Sequence, residues 1–126
     1  MLEKRLGMFE EKSPLAKKSA VFAVQLVTLC RSLREETKEY SLIDQLMRSG
    51  TSIGANVRES LYAQSRADFL TKLTIALKEA SETEYWLYVM HEAGLLDDQR
   101  FILINDSNRE LIRMLTTSVN TVKSHS

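Results

Sequence analysis

The strongest constraint on this chain is the stretch from Leu42 to Ala93, which reads as two long helices folded against each other about the short polar joint Gln64-Ser65-Arg66. In its first half Leu42, Ile43, Leu46, Ile53, Val57 and Leu61 recur at the three-and-four spacing of one helix face. Between them stand the small residues Ser49, Gly50, Ser52, Gly54 and Ala55. A glycine inside a helix costs about 1 kcal/mol relative to alanine, so two of them call for a compensating contact. Gly50 and Gly54, four residues apart, leave a shallow groove into which a second helix can pack at short distance. The alternative is a helix break near Gly50.

The second half carries a heptad pattern, with Leu70, Leu77, Glu84 and His91 at one position and Leu73, Ala80 and Leu87 at the other. Ser65 followed by Asp68 resembles a capping box with Asp in place of Glu or Gln, and Gly94 is the expected terminator. In an antiparallel hairpin about this joint, equal rise on both sides sets residues whose numbers sum to about 131 opposite each other. Arg48 then falls near Glu82 and Glu84, and Glu59 near Lys72. These pairs read as charges neutralising one another across a helix seam rather than as a catalytic couple. Arg48, Glu59, Glu82 and Glu84 are accordingly assigned to a structural polar network.

A chain of 126 residues fits one domain with a core of its own, and a single Pro with four Gly leaves little room for a turn-rich sheet. Ser13-Pro14 is a helix start, with Ser as N-cap and Pro at the first position. The inner stripe of that first helix is read as Leu15, Ala16, Ala20, Ala23, Val24, Val27 and Cys30, continued by Leu33 or Arg34 and widened by Phe22, Leu26 and Leu29. Ser41 is expected to cap the second helix. Asp97 or Asp98 is expected to cap a fourth, with Phe101, Ile102, Ile104, Leu111, Ile112, Leu115 and Val119 inward and a bend near Asn105 to Asn108. The expected organisation is an N-terminal arm over 1–12, helices over about 14–34, 42–64, 66–93 and 98–121, and a frayed tail over 122–126. Four such helices with short joints make an all-α, up-down-up-down four-helix bundle.

The chemistry of enzymes is not assembled in this sequence. Neither His91 nor His125 follows a Glu by three residues, as a bundle di-iron centre needs, and Cys30 is the one cysteine. No phosphate loop and no nucleophile elbow occur. No enzyme activity, cofactor or metal is expected. No run reaches the ~20 apolar residues that span a bilayer, and the N-terminus lacks a signal-peptide core, so a cytoplasmic location without membrane contact is expected.

The 17 basic and 17 acidic residues cancel, but they are unevenly placed. From Arg48 to Lys78 five basic residues face two acidic ones, whereas Glu79 to Asp98 holds six acidic residues and no Lys or Arg. Arg58, Arg66 and Lys72, around the joint, are the candidates for contact with a phosphate backbone or an acidic partner, the alternative being a solvated mixture of ion pairs. Phe22, Tyr85 and Trp86 offer apolar surface beyond what one small bundle hides, which predicts a homo-oligomer with cyclic closure.

The run Arg48-Ser-Gly-Thr-Ser-Ile-Gly-Ala-Asn-Val-Arg-Glu59, with Ala63-Gln-Ser65, Ala67-Asp-Phe69, Ile75-Ala-Leu-Lys-Glu-Ala80, Glu82-Thr83 and Tyr85-Trp-Leu87, resembles the four-helix-bundle proteins of the 23S rRNA intervening-sequence family. The resemblance covers most of residues 15–115. It implies a bacterial protein, a ring of five subunits, and kinship with the accessory protein of diversity-generating retroelements, a basic pentamer that works with a reverse transcriptase. It supplies no catalytic residues; Arg48, Asn56, Glu59, Glu79 and Glu82 match its motif, and the resemblance adds Asn56 and Glu79 to the structural polar network. Two readings follow: a non-enzymatic oligomeric adaptor that binds RNA or a nucleic-acid-processing protein, and a protein-only scaffold with no nucleic-acid ligand.

Overall fold

The computed structural model describes residues 13–125; the expected arm over 1–12 and the last residue, Ser126, lie outside the described residues. Four helices follow one another: α1 Pro14–Glu36, α2 Tyr40–Ser60, α3 Arg66–Glu92 and α4 Asp98–Ser124. Each packs on its neighbour in sequence, and α4 packs back on α1. Contacts between α2 and α3 run in opposite chain directions. Glu59 meets Lys72 while Arg48 meets Glu79 across α2 and α3.

Local chemistry sets the helix ends. Ser13 Oγ accepts from Ala16 N at 3.1 Å, with Pro14 at the first position of α1. Ser65 Oγ accepts from Asp68 N at 3.0 Å, and the Asp68 carboxylate accepts in return from Gln64 N at 3.3 Å. At the end of α3, Gly94 takes φ 79°, which glycine reaches without a Cβ clash. Gly94 N then donates to His91 O at 3.1 Å and Leu95 N to Met90 O at 2.9 Å, the two bonds of a Schellman turn. Asp97 caps α4 by accepting from Arg100 N at 3.1 Å.

Several boundaries differ from the sequence expectation. Helix α2 starts at Tyr40 with Glu39 at its cap and no side-chain cap bond, so Ser41 is already helical. Asp44, which the start at Tyr40 places beyond the first turn, is bonded to Arg34, which ties the end of α1 to the start of α2. Helix α2 also closes at Ser60, four residues before the expected end, leaving Leu61 and Tyr62 in the turn. Helix α4 is continuous through Asn105 and Asn108 and reaches Ser124, past the expected start of a frayed tail. Asn108 is drawn inward rather than breaking the helix, because its Nδ2 donates to Ala80 O on α3 at 2.9 Å.

The core explains the glycine pair. A Cβ placed on Gly50 would lie 1.9 Å from Leu26 Cδ2 and 3.6 Å from Phe22 Cε2, and one on Gly54 would lie 3.3 Å from Ser19 O. The missing side chains of α2 are thus filled by α1, which approaches closely enough for the Ser19 backbone to meet Gly54. This turns the inner stripe of α1 to Ala16, Ser19, Phe22, Leu26, Cys30 and Leu33 and leaves Val24 39 % exposed. Phe22, expected at a subunit interface, is 2 % exposed and belongs to the core: the space over Gly50 is where its ring and Leu26 go.

The α3 seam is corrected in the same way. Its buried residues are Leu73, Ala76, Ala80, Thr83, Leu87 and Met90. The Leu73/Ala80/Leu87 position is the expected one, but its partner position is Ala76/Thr83/Met90, with Leu70 and Leu77 packed on the flank. Thr83 Oγ1 lies 2.9 Å from Ser49 Oγ, and both side chains are fully buried. Each hydroxyl also reaches a carbonyl of its own helix, Glu79 O at 2.8 Å and Leu46 O at 3.3 Å. The pair therefore satisfies itself in a dry seam and fixes the register of α2 on α3. On α4, Ile102 was expected inward but is 55 % exposed; Ile104, Asn108, Leu111, Leu115 and Val119 form the buried row.

Replacing Gly54 by Val tests the close approach, since the added methyls meet main-chain atoms of Ser19 that cannot rotate away. A loss of roughly 1–3 kcal/mol is expected in denaturant unfolding. Gly50→Ala should cost less, because the nearest atom there is a terminal methyl of Leu26. Equal stability of Gly54→Val and the parent chain would contradict the packing.

Candidate functional site

The candidate residues fall into two groups, one at the end of the bundle and one along the α2/α3 flank. Arg66 Nη2 donates to Val122 O at 3.3 Å, which joins the start of α3 to the end of α4. Arg58 sits in the last turn of α2 and Arg66 in the first turn of α3, both exposed. Lys72, one and a half turns further along α3, is held by Glu59 at 3.1 Å. The structure thus gathers Arg58 and Arg66 at the joint, commits Lys72 to an ion pair beside it, and adds Lys123 and His125 from α4. Those last two were not singled out in the sequence; only the long-range contact of Arg66 brings them to this end.

The opposite end is built from the other four helix termini and is mainly acidic. Arg100 grips Glu36 with both guanidinium branches, at 2.8 and 2.7 Å, and also bonds Asp97. Its hydrogen bonds hold the Glu36 and Asp97 carboxyls below the usual carboxylate range. His91 Nε2 lies 2.6 Å from Asp98 Oδ1 and its Nδ1 3.1 Å from Glu92, with the ring stacked on Phe101 at 4.1 Å between centroids. The hydrogen bond with Asp98, then the charges of both carboxylates, raise the His91 pKa. His91 is thus a clasp across the α3–α4 turn.

Along the α2/α3 flank Arg48 binds Glu79 at 3.1 Å, is bonded to Glu82, and donates from Nε to Gln45 at 3.3 Å. Trp86 Nε1 donates to Glu82 Oε2 at 2.9 Å, and this bond, followed by the hydrogen bond and charge of Arg48, lowers the Glu82 pKa. Tyr85 meets the Trp86 ring edge-on at 5.1 Å and is itself 57 % exposed. Glu84 does not reach Arg48. The turn of α3 that buries Thr83 carries Glu84 to the α4 side, where Arg109 Nε lies 3.8 Å from it. Asn56 bonds within its own helix, Nδ2 to Ser52 O at 2.9 Å.

These side chains order helices; they do not form a nucleophile with a base. Burial pushes the Cys30 thiol up to about 11, which keeps it protonated and unreactive. The groove between α1 and α4, about 340 Å³ and lined in part by Lys17, Val21, Gln25 and Ser107, has Glu110 as its one carboxylate. Glu110 is already paired with Lys18 at 2.7 Å. Among the described residues no group of three or more His, Cys, Asp and Glu could hold a metal ion, and no helix is long and apolar enough to cross a membrane.

Helices α1 to α4 therefore define a small all-α four-helix protein in which polar groups tie the helices together and the exposed Arg58 and Arg66 flank the joint between α2 and α3. The model of the 23S rRNA-intervening sequence protein family matches residues 11–117, and the chain belongs to that family. It is similar to the crystal structure of a protein of unknown function from the S23 ribosomal protein family of Bacteroides thetaiotaomicron VPI-5482, with 46 % identity and a TM-score of 0.81. That likeness covers 83 % of this chain and 97 % of the other. No curated protein matches the chain.

Two tests follow from this geometry. Glu82→Ala removes the partner of both Arg48 and Trp86, whereas Arg48→Ala leaves the Trp86 bond in place, so thermal melting should fall further for Glu82→Ala. Because Arg48 is about half exposed, its own loss should be on the order of 1 kcal/mol or less. An unchanged melt for both variants would contradict the network. The His91 clasp has the opposite pH sense to a carboxylate pair: its raised pKa gives stability fully present below the unfolded value of about 6.5 and lost as pH rises through the folded value. Melting measured across that window should fall more in the parent chain than in Asp98→Asn; parallel curves would contradict the clasp.

Proposed function

We propose that the protein is a non-enzymatic adaptor that binds RNA through the basic end of the bundle, as part of an intervening sequence or mobile element. The observation that carries this reading is the gathering of Arg58 and Arg66, with Lys72 beside them, at one end of a bundle whose other end is acidic. A phosphate backbone responds to such a local field even when the whole chain is neutral. Family membership supports the setting, since the family is described by its association with 23S rRNA intervening sequences.

The proposal includes an up-down-up-down topology and assembly into a cyclic homo-oligomer, with five subunits as the ring that the family resemblance suggests. Exposed Tyr85, with Trp86 half-buried beside it, remains the candidate apolar contact between subunits once Phe22 is assigned to the core. A ring would repeat the basic end in several copies, and repetition turns weak phosphate contacts into useful avidity. The working location proposed is the cytoplasm, and the proposed partners are RNA or a nucleic-acid-processing protein. The kinship with retroelement accessory proteins belongs to the same proposal.

Light scattering and a gel shift with structured RNA, on one sample at low and high salt, test it. The expected result is an oligomer that shifts RNA at low salt and releases it at high salt, because phosphate contacts weaken steeply with ionic strength. An oligomer with no shift would favour a protein-only scaffold, and a monomer would remove the ring.

A further inference from the structure

Among the exposed large apolar side chains of the described residues, Tyr62 has the highest exposure, 73 %, and it stands in the joint between the two exposed arginines. Its main chain is held, since Tyr62 N donates to Glu59 O at 3.1 Å in the closing turn of α2. Arg58 lies four residues before it and Arg66 four after. Through the Arg66–Val122 contact, exposed Lys123 and His125 join the same end. The two carboxylates closest in sequence are engaged: Glu59 by Lys72 at 3.1 Å, and Asp68 by the Gln64 N–H at 3.3 Å. An aromatic ring held out into water on a fixed turn adds little to the core, yet it is well placed to receive a flat apolar surface.

We infer that this end of the bundle binds unpaired nucleotides of single-stranded RNA, with Tyr62 as the stacking residue and Arg58, Arg66 and Lys123 as phosphate contacts. The inference rests on the nucleic-acid reading above and adds the form of the ligand. Base faces are covered in a duplex and open in a single strand, and stacking on an aromatic side chain tolerates any base. A cationic end with no aromatic ring would suit duplex and single strand alike; the exposed ring is what separates them. Tyr85 and Tyr88, also more than half exposed, stand in the acidic stretch beside Glu84 and Glu92 and do not offer this combination.

The test is fluorescence anisotropy with the full chain, a short labelled single-stranded RNA and the duplex of the same sequence. The parent chain should bind the single strand more tightly than the duplex. Tyr62→Ala should weaken the single strand about tenfold while leaving duplex binding and thermal melting unchanged, and Tyr62→Trp should restore it. The double variant Arg58→Ala/Arg66→Ala should weaken both ligands and make the single-strand salt slope shallower by about 1.4, the amount expected for two lost phosphate contacts. Two results overturn the inference but leave RNA binding standing: equal single-strand affinity for Tyr62→Ala and the parent, or a parent preference for duplex. Binding to neither ligand overturns the inference and the RNA reading together. A change of oligomer mass in Tyr62→Ala without a change in affinity per subunit would make Tyr62 an interface residue and also overturn it.

Discussion

The bundle depends on how closely α1 can lie against α2. At Gly54 the backbone of Ser19 occupies the place of a side chain, and over Gly50 the side chains of Leu26 and Phe22 do so. Two glycines inside a helix are unfavourable locally, by about 1 kcal/mol each, and only tertiary contact offsets that. Here the contact decides which face of α1 is inside, and with it the burial of Phe22, Leu26, Cys30 and Leu33. On the other side of α2, Ser49 performs a related service for α3 by accepting Thr83 into a dry hydroxyl pair. Small residues on α2 thus set its spacing to both neighbours, and α4 closes the remaining side.

That arrangement also fixes where the charges go. Side-chain contacts gather the helix termini into two groups, and the bonds within each group hold it together. Arg34 with Asp44, Arg100 with Glu36 and Asp97, and His91 with Asp98 clasp one end. The other end is tied more lightly, by Arg66 on the Val122 carbonyl and by Lys72 on Glu59. Arg58 and Arg66 stand exposed around the Tyr62 turn, while the other group of termini carries the carboxylates Glu36, Asp44, Asp97 and Asp98. The asymmetry is a property of sequence order folded about three short joints, and it arises in a chain with equal numbers of basic and acidic residues.

Much of the fold was legible because the signals were local. The α2/α3 hairpin follows from two apolar periodicities and one capped joint, and the Arg48–Glu82 and Glu59–Lys72 pairs follow from counting outward from it. The errors came where a decision depended on a distant helix. Helix α1 is apolar around much of its circumference, so its inner face was set by the groove on α2, not by its own pattern. Helix α3 admits two heptad frames sharing Leu73, Ala80 and Leu87, and the polar residue Thr83 concealed the correct one because its partner Ser49 lies 34 residues away. Asn108, read as weakening the first half of its helix, has its acceptor, Ala80 O, on another helix. For the candidate site, Arg58 and Arg66 were visible as a local excess of charge, while Lys123, His125 and the exposure of Tyr62 required the ends of α2, α3 and α4 to be assembled.

The RNA interface proposed here lies at the cationic end of the glycine-spaced bundle. Backbone amide chemical-shift mapping of the labelled full chain, titrated with a short single-stranded RNA, tests it most directly because it reports every residue at once. Shifts should concentrate at Arg58 to Arg66 and at Val122 to His125, with the α3–α4 turn around His91 and Asp98 unmoved. Shifts centred on that acidic turn, or spread evenly over the four helices, would contradict it.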